Sequence, residues 1–246
     1  MNPRITLATA GRILRQLRGD HRTVALMLVV PCVLLGLLAW IYADAPIDVF
    51  DRIGPALLGV FPFVVMFIVT SIATLRERTT GTLERLLTTP LGKGDLILGY
   101  ALAFGAMAVV QAVLATGFAI WPSGLDIAGP LSLLVVIALF DAVLGTSLGL
   151  LASGFARTEF QAVQFMPAFV LPQFLLCGLL VPRDQLPTVL EWVSNVLPLS
   201  YAVDAMKDVT VQADPLADVL PSLGVISLWI AAALVLGSLT LRRRTA

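Results

Sequence analysis

Residues 145–149 read Gly-Thr-Ser-Leu-Gly, the G-x-S-x-G spacing that lifts a serine nucleophile onto a sharp strand-to-helix turn in hydrolases. A serine used that way needs a histidine to take its proton. The chain's one histidine, His21, precedes the first apolar run, and residues 145–149 lie inside another. Gly145, Gly149 and Ser153 repeat every fourth residue, which reads instead as a small-residue stripe for close helix packing. No H-E-x-x-H occurs, so the helical zinc-hydrolase arrangement is excluded. Gly92-Lys93 is followed by Gly94 and does not complete a phosphate-cradling G-x-x-x-x-G-K-[ST] loop. Cys32 and Cys177 both fall in apolar runs and read as packing residues, with no disulfide framework or metal cluster. Asp141 is the one carboxylate near the middle of an apolar run. There it is either a functional site or a structural acid bonded between helices.

The elements that would carry these residues are set by composition. Of 246 residues, 58% are hydrophobic and 13% charged, and the mean hydropathy is +0.94, well outside the range of a water-soluble domain. The formal net charge is zero, which gives no basis for nucleic-acid binding. Six runs reach the roughly 20 apolar residues that a helix needs to cross a bilayer. They lie near 24–42, 53–75, 96–121, 130–152, 160–181 and 221–241. The expected fold is therefore an all-α polytopic membrane protein, a single transmembrane domain over 1–246. An N-terminal stretch as basic as this one, with an apolar run longer than a signal h-region, is expected to be a retained span and not a cleaved leader.

Lys and Arg set the orientation. Thirteen of them (Arg4, Arg12, Arg15, Arg18, Arg22, Arg76, Arg78, Arg85, Lys93, Arg157, Arg242, Arg243 and Arg244) fall on the side of the two termini, and three (Arg52, Arg183 and Lys207) on the other. The positive-inside bias places both termini in the cytoplasm, and the plasma membrane is the expected location. Residues 1–22 read as a basic amphipathic helix for the membrane interface, with Ile5, Ala8, Ile13, Leu14 and Leu17 at helical spacing, or as a basic tail that only enforces orientation. Pro31, Pro62, Pro167 and Pro172 interrupt spans one, two and five. Each frees a carbonyl that must be met by protein or water, so these spans are expected to face protein or a hydrated route. Residues 182–220 keep helical spacing between prolines and read as short helices re-entering the outer leaflet, or as a folded surface loop.

One stretch breaks the apolar pattern. Residues 76–90, RERTTGTLERLLTTP, hold five charges and five threonines. Leu83, Leu86 and Leu87 fall at i, i+3 and i+4, one face of a helix too short to be stable alone, and Pro90 ends it. Such a stub must take stability from a partner, and its leucine face suits a partner's groove.

The stretch RERTTGTLERLLTTPLGKGDLILGY resembles the first cytoplasmic loop of the type-2 permeases of ATP-binding-cassette exporters. That loop commonly reads E-R-E-x-G-T-L-E-x-L-L-x-T-P, with Thr79 here standing where an acid is common. CGLLVPRDQLPTVLEWVSNVLPLSYAVDAMKDV resembles the family's fifth span and outer re-entrant helices. The resemblance implies that Glu77, Arg78, Gly81, Thr82, Leu83, Glu84, Arg85, Leu86, Leu87 and Thr88 form a coupling helix seated on a separate ATPase subunit. It further implies that this chain binds no cofactor itself, ATP and Mg being held by that partner. It also implies that the permease pairs with a second copy or a paralogue, and that spans one, two and five line the route between the two. Phe63, Phe67, Gln161, Gln164, Phe165 and Phe169 are then candidate route residues, suited to a drug, lipid or other amphipathic cargo, although the aromatics equally suit positions facing lipid or core. The glutamines suit a polar gate or bonds to neighbouring helices. The rival readings are a secondary transporter or channel, and a non-conducting membrane subunit that recruits an ATPase.

Overall fold

A computed structural model describes residues 2–44, 49–80 and 92–240, apart from the side chain of Lys93. In chain order the α-helices among these are α1 (Pro3–Gly19), α2 (His21–Ile41), α3 (Val49–Thr79), α4 (Lys93–Ile120), α5 (Leu131–Ser153), α6 (Glu159–Leu176), α7 (Thr188–Val196), α8 (Pro198–Val211) and α9 (Leu216–Thr240). A 3-10 turn at Arg183–Gln185 precedes α7. The described residues contain no strand, so the chain is an all-α polytopic membrane protein.

Among the described residues, five helices are long and apolar enough to cross a membrane: α2, α3, α4 from Gly94, α5 and α9. The sixth expected span, 160–181, differs from the expectation. Its helix, α6, has 18 residues and is not among the five, since three glutamines, two prolines and Glu159 dilute its apolar character. It stops at Leu176 because Gly178 adopts φ +84°, a left-handed conformation that breaks the helix and favours glycine. The last span begins at Leu216, five residues before the expected start at 221, and takes Pro221 into its second turn.

α3 and α5 form the centre, with α4, α8 and α9 packed around them and α2 and α6 at the margins. The α3–α5 contact is made by backbone. A Cβ on Gly145 would lie 2.3 Å from the Phe63 carbonyl oxygen, and one on Gly149 would lie 2.5 Å from that of Phe67. Without a hydrophobic driving force between helices in lipid, such close approach supplies the attraction by dispersion. The small-residue stripe is therefore a packing seam. Ser147, the would-be nucleophile, donates its hydroxyl to the Val143 carbonyl at 2.8 Å.

Of the helices from the three proline-interrupted spans, only α3 is enclosed within the single chain. α3 is central, but the apolar window of α2 is only 17% buried within the single chain, and most of α6 faces outward. α2 tolerates Pro31 through one side chain. Gln111 of α4, itself 1% exposed, donates its Nε2 to the Met27 carbonyl at 2.8 Å, the oxygen that Pro31 leaves without a helical N–H.

α1 lies against α4. Its buried face is Thr6, Thr9, Ala10, Ile13 and Leu17, while Ala8 of the expected apolar face is exposed. The threonines face inward because Gly99 admits them: a Cβ there would lie 2.7 Å from Thr9 Cβ. At the opposite end of the bundle, α8 buries Leu199, Ala202, Val203, Ala205, Met206 and Val209 among the other helices, whereas α7 buries only Ser194. The 182–220 segment thus contains the short helices that its spacing suggests.

Candidate functional site

The last turn of α3 is the most heavily tied part of the arginine-rich end. Three consecutive charged residues leave it in three directions. Arg76 pairs with Glu159 at the start of α6, Nε to Oε1 at 3.1 Å, with both side chains at least half exposed. Glu77 accepts a two-pronged pair from Arg12 of α1, at 2.8 and 3.0 Å, and the Tyr100 hydroxyl of α4 donates to its Oε2. Arg78 donates to the carbonyl of Ser153, the final residue of α5, where the helix dipole leaves partial negative charge. The fork of a guanidinium matched to a carboxylate fixes orientation as well as distance. Tyr100 is 2% exposed and stacks on Phe104 with ring centroids 6.3 Å apart, which locks the hydroxyl in place.

A second tie fastens the start of α1. Asp95, at the third position of α4, accepts from the Asn2 backbone N–H (2.9 Å), the Thr6 hydroxyl (3.1 Å) and the Gly92 N–H (3.3 Å). It therefore satisfies orphan donors of two helix starts at once. Asp20 links α1 to α2. It caps α2 by accepting from the Thr23 hydroxyl at 2.7 Å and the Thr23 N–H at 3.2 Å. Those two bonds, with the positive charge of Arg76 nearby, hold its carboxyl below the ordinary aspartate range.

Of the residues expected to couple, Glu77 and Arg78 are in this cluster. Gly81, Thr82, Leu83, Glu84, Arg85, Leu86, Leu87 and Thr88 lie outside the described residues. Among the expected route residues, Phe63 and Phe67 are wholly buried in the core around α3, so they line no open path within one chain. Phe169 is 37% exposed and rests on Phe67 and Phe165, each 6.3 Å away between ring centroids. Gln161 caps the start of α6: its Oε1 accepts from the Arg157 N–H at 2.9 Å, and its own N–H reaches the Thr158 hydroxyl at 3.1 Å. Gln164 is exposed. Asp141 is fully buried beside Gly59, Val203 and Met206, and neither carboxylate oxygen finds a hydrogen-bond partner among the described residues.

Sequence reasoning overlooked Arg12 and Tyr100 as partners of Glu77, and Gln111 and Gln173 as interhelical ties. Gln173, 4% exposed, accepts from the Leu199 N–H at the start of α8 (3.3 Å) while donating to the Phe169 carbonyl (2.9 Å). A signal existed for the two glutamines, because an amide deep in an apolar run is costly unless it bonds across helices. Nothing in the spacing pairs Arg12 with Glu77, which are 65 residues apart.

The ABC-2 type transporter family model matches residues 4–210, taking in α1 to α8 and the whole of this cluster. The chain belongs to the ABC-2 type transporter family. Among its ABC-2 relatives is the probable multidrug ABC transporter permease YbhR of Escherichia coli (strain K12), 29% identical over 155 residues, which cover 63% of this chain and 42% of YbhR. Nodulation protein J of Rhizobium leguminosarum bv. viciae is 29% identical over 167 residues, 66% of this chain and 62% of that protein. ABC transporter G family member 20 of Dictyostelium discoideum is 27% identical over 169 residues, 69% of this chain but 23% of a much longer protein. The match spans less than two thirds of each of these relatives.

Proposed function

We propose that this ABC-2 family chain is the membrane subunit of an exporter, working as a pair with a second copy or a paralogue. A separate ATPase subunit, binding ATP and Mg, supplies the energy. The observation that carries the reading is the anchoring of α3's last turn. Arg76, Glu77 and Arg78 fasten it to α6, to α1 with α4, and to α5. The polar stretch 81–90 follows directly in sequence. A push on that stretch by a closing ATPase pair would reach four helices through charged and hydrogen-bonded contacts before any apolar contact had to slide. Packed helices transmit such displacement because their interiors are close-packed and shift between discrete arrangements.

In this reading residues 81–88 are the coupling helix, α6 is a sixth crossing, and both termini lie in the cytoplasm. The arginine bias supports that orientation. Trp40 (80% exposed), Trp121 (85%) and Trp192 (72%), at the other end, suit the headgroup zone there without distinguishing the two sides. The outward side of α6 combines exposed Phe160, Leu171 and Leu175 with Gln161 and Gln164, a mixed surface that suits a partner permease and an amphipathic cargo better than lipid alone.

The test is reconstitution of the full chain with a candidate ABC-type ATPase subunit from the same organism. The proposal expects a stable complex whose ATPase activity depends on the permease. Leu86→Glu is expected to weaken the complex at least about tenfold. No complex, or activity indifferent to Leu86→Glu, would overturn the reading. Transport that persists without ATP and follows an ion gradient would instead make this a secondary transporter.

A further inference from the structure

The inward side of α1 is fully used, by α4 and by the Arg12–Glu77 pair, but its outward side is not. Arg4, Arg15 and Arg18 are spaced eleven and three residues apart and so share one stripe of the helix, with Leu7 (64% exposed) beside them. The ion pairs among the described residues use Arg12, Arg76 and Arg183, and leave Arg4, Arg15 and Arg18 without a carboxylate. Only Asp20 separates α1 from α2, whose outward residues Leu26, Val29 and Val33 are exposed as lipid-facing side chains are. A helix that ends one residue before a membrane span sits at headgroup depth. A stripe of arginines with a leucine at that depth complements anionic headgroups and acyl chains together.

We propose that the Arg4–Arg15–Arg18 face of α1 binds anionic phospholipid headgroups, and that the Arg12–Glu77–Tyr100 cluster conveys this binding to the last turn of α3. Lipid charge then sets how firmly the chain leading into residues 81–90 is held. Arg12 lies on the flank of α1, between the lipid face and the buried face, so a helix pulled toward the headgroups carries its guanidinium, and Glu77, with it. Arg12 is a positioning residue here. The inference rests on the proposed orientation only in naming the leaflet as the inner one.

The test uses the full-length protein in phosphatidylcholine bilayers with and without phosphatidylglycerol. It needs no ATPase, so its failure and that of the export reading are separable. A fluorophore is placed on Leu7→Cys in a Cys32→Ser/Cys177→Ser background. Brominated phosphatidylglycerol is expected to quench it more strongly than brominated phosphatidylcholine. Replacing Arg4, Arg15 and Arg18 with Gln is expected to reduce that preference by about fivefold per arginine. Equal quenching by the two lipids in the otherwise native protein overturns the docking. In the second arm, phosphatidylglycerol is expected to slow amide exchange over residues 76–80 in the native protein and to leave it unchanged in Arg12→Gln. The charge-swapped Arg12→Glu/Glu77→Arg protein is expected to regain the response. Exchange that responds equally in Arg12→Gln, or a swap that restores nothing, overturns the transmission.

Discussion

Glu77 does two things that belong to different helices: it receives the Arg12 guanidinium from α1 and the Tyr100 hydroxyl from α4. Removing Arg12 leaves a carboxylate at a site where its side chain is only 14% exposed, a penalty larger than that of an exposed ion pair. Arg12→Ala is expected to destabilise the docking of α1 by about 1–3 kcal/mol, measured as increased amide exchange across α1. Arg76→Ala, which breaks an exposed pair, is expected to cost under about 1 kcal/mol in the same measurement. Asp20 gives a pH dependence whose sign is fixed by its bonds to Thr23. Its carboxyl is held below the ordinary range, so its stabilisation of α2's first turn is complete above the unfolded aspartate value of about 4 and is lost as pH falls through the lower folded one. Exchange of the Thr23 amide should accelerate over that acid window. Asp20→Asn keeps a capping oxygen and should remove the pH dependence while retaining most of the protection.

At the scale of the helices, two devices let polar or irregular backbone exist among apolar spans. Gln111 answers the carbonyl that Pro31 orphans, so the two residues form one unit although they lie on α4 and α2. Gln111→Leu is expected to destabilise the fold by about 1–3 kcal/mol, the cost of a buried unpaired carbonyl. Combined with Pro31→Ala, which restores the helical N–H, it should cost much less. A double-mutant cycle measured by thermal unfolding in detergent would show this non-additivity, and strict additivity would mean that the Gln111 bond serves something other than the proline. The α3–α5 seam is the second device. Gly149→Ala places a methyl 2.5 Å from the Phe67 carbonyl oxygen, and backbone cannot rotate aside as a side chain can. A loss of about 1–3 kcal/mol is expected, and Gly149→Leu should prevent accumulation of folded protein.

For the molecule as a whole, the two ends differ in chemistry. The arginine-rich end is held by charge pairs between distant segments. At the other end Arg183 is the hub: its Nε donates to Ser194 at 2.9 Å, it also reaches Asp204 and Asn195, and it stands 5.4 Å from the Tyr201 ring centre. Lys207 donates to the Gly178 carbonyl at 2.6 Å, fastening α8 to the turn that ends α6. The proposed orientation predicts that Arg15→Cys is labelled by an impermeant maleimide only from the cytoplasmic side and Glu191→Cys only from outside. Labelling of both from one side would remove the topology on which coupling depends.

The apolar runs, the arginine bias and the family-like stretch at 76–90 were legible in the sequence, because membrane insertion, helix period and local motif are all properties of neighbouring residues. Tertiary structure alone decided that Glu77 belongs to Arg12 and Tyr100, that Pro31 needs Gln111, and that Phe63 and Phe67 are sealed in the core. It also decided that α6 stops short, through a glycine turn that Lys207 of α8 holds from outside the helix. Each of these depends on which face one helix turns toward another. Hydropathy cannot encode that choice in lipid, where a side chain facing hydrocarbon and one facing a neighbouring helix look equally apolar.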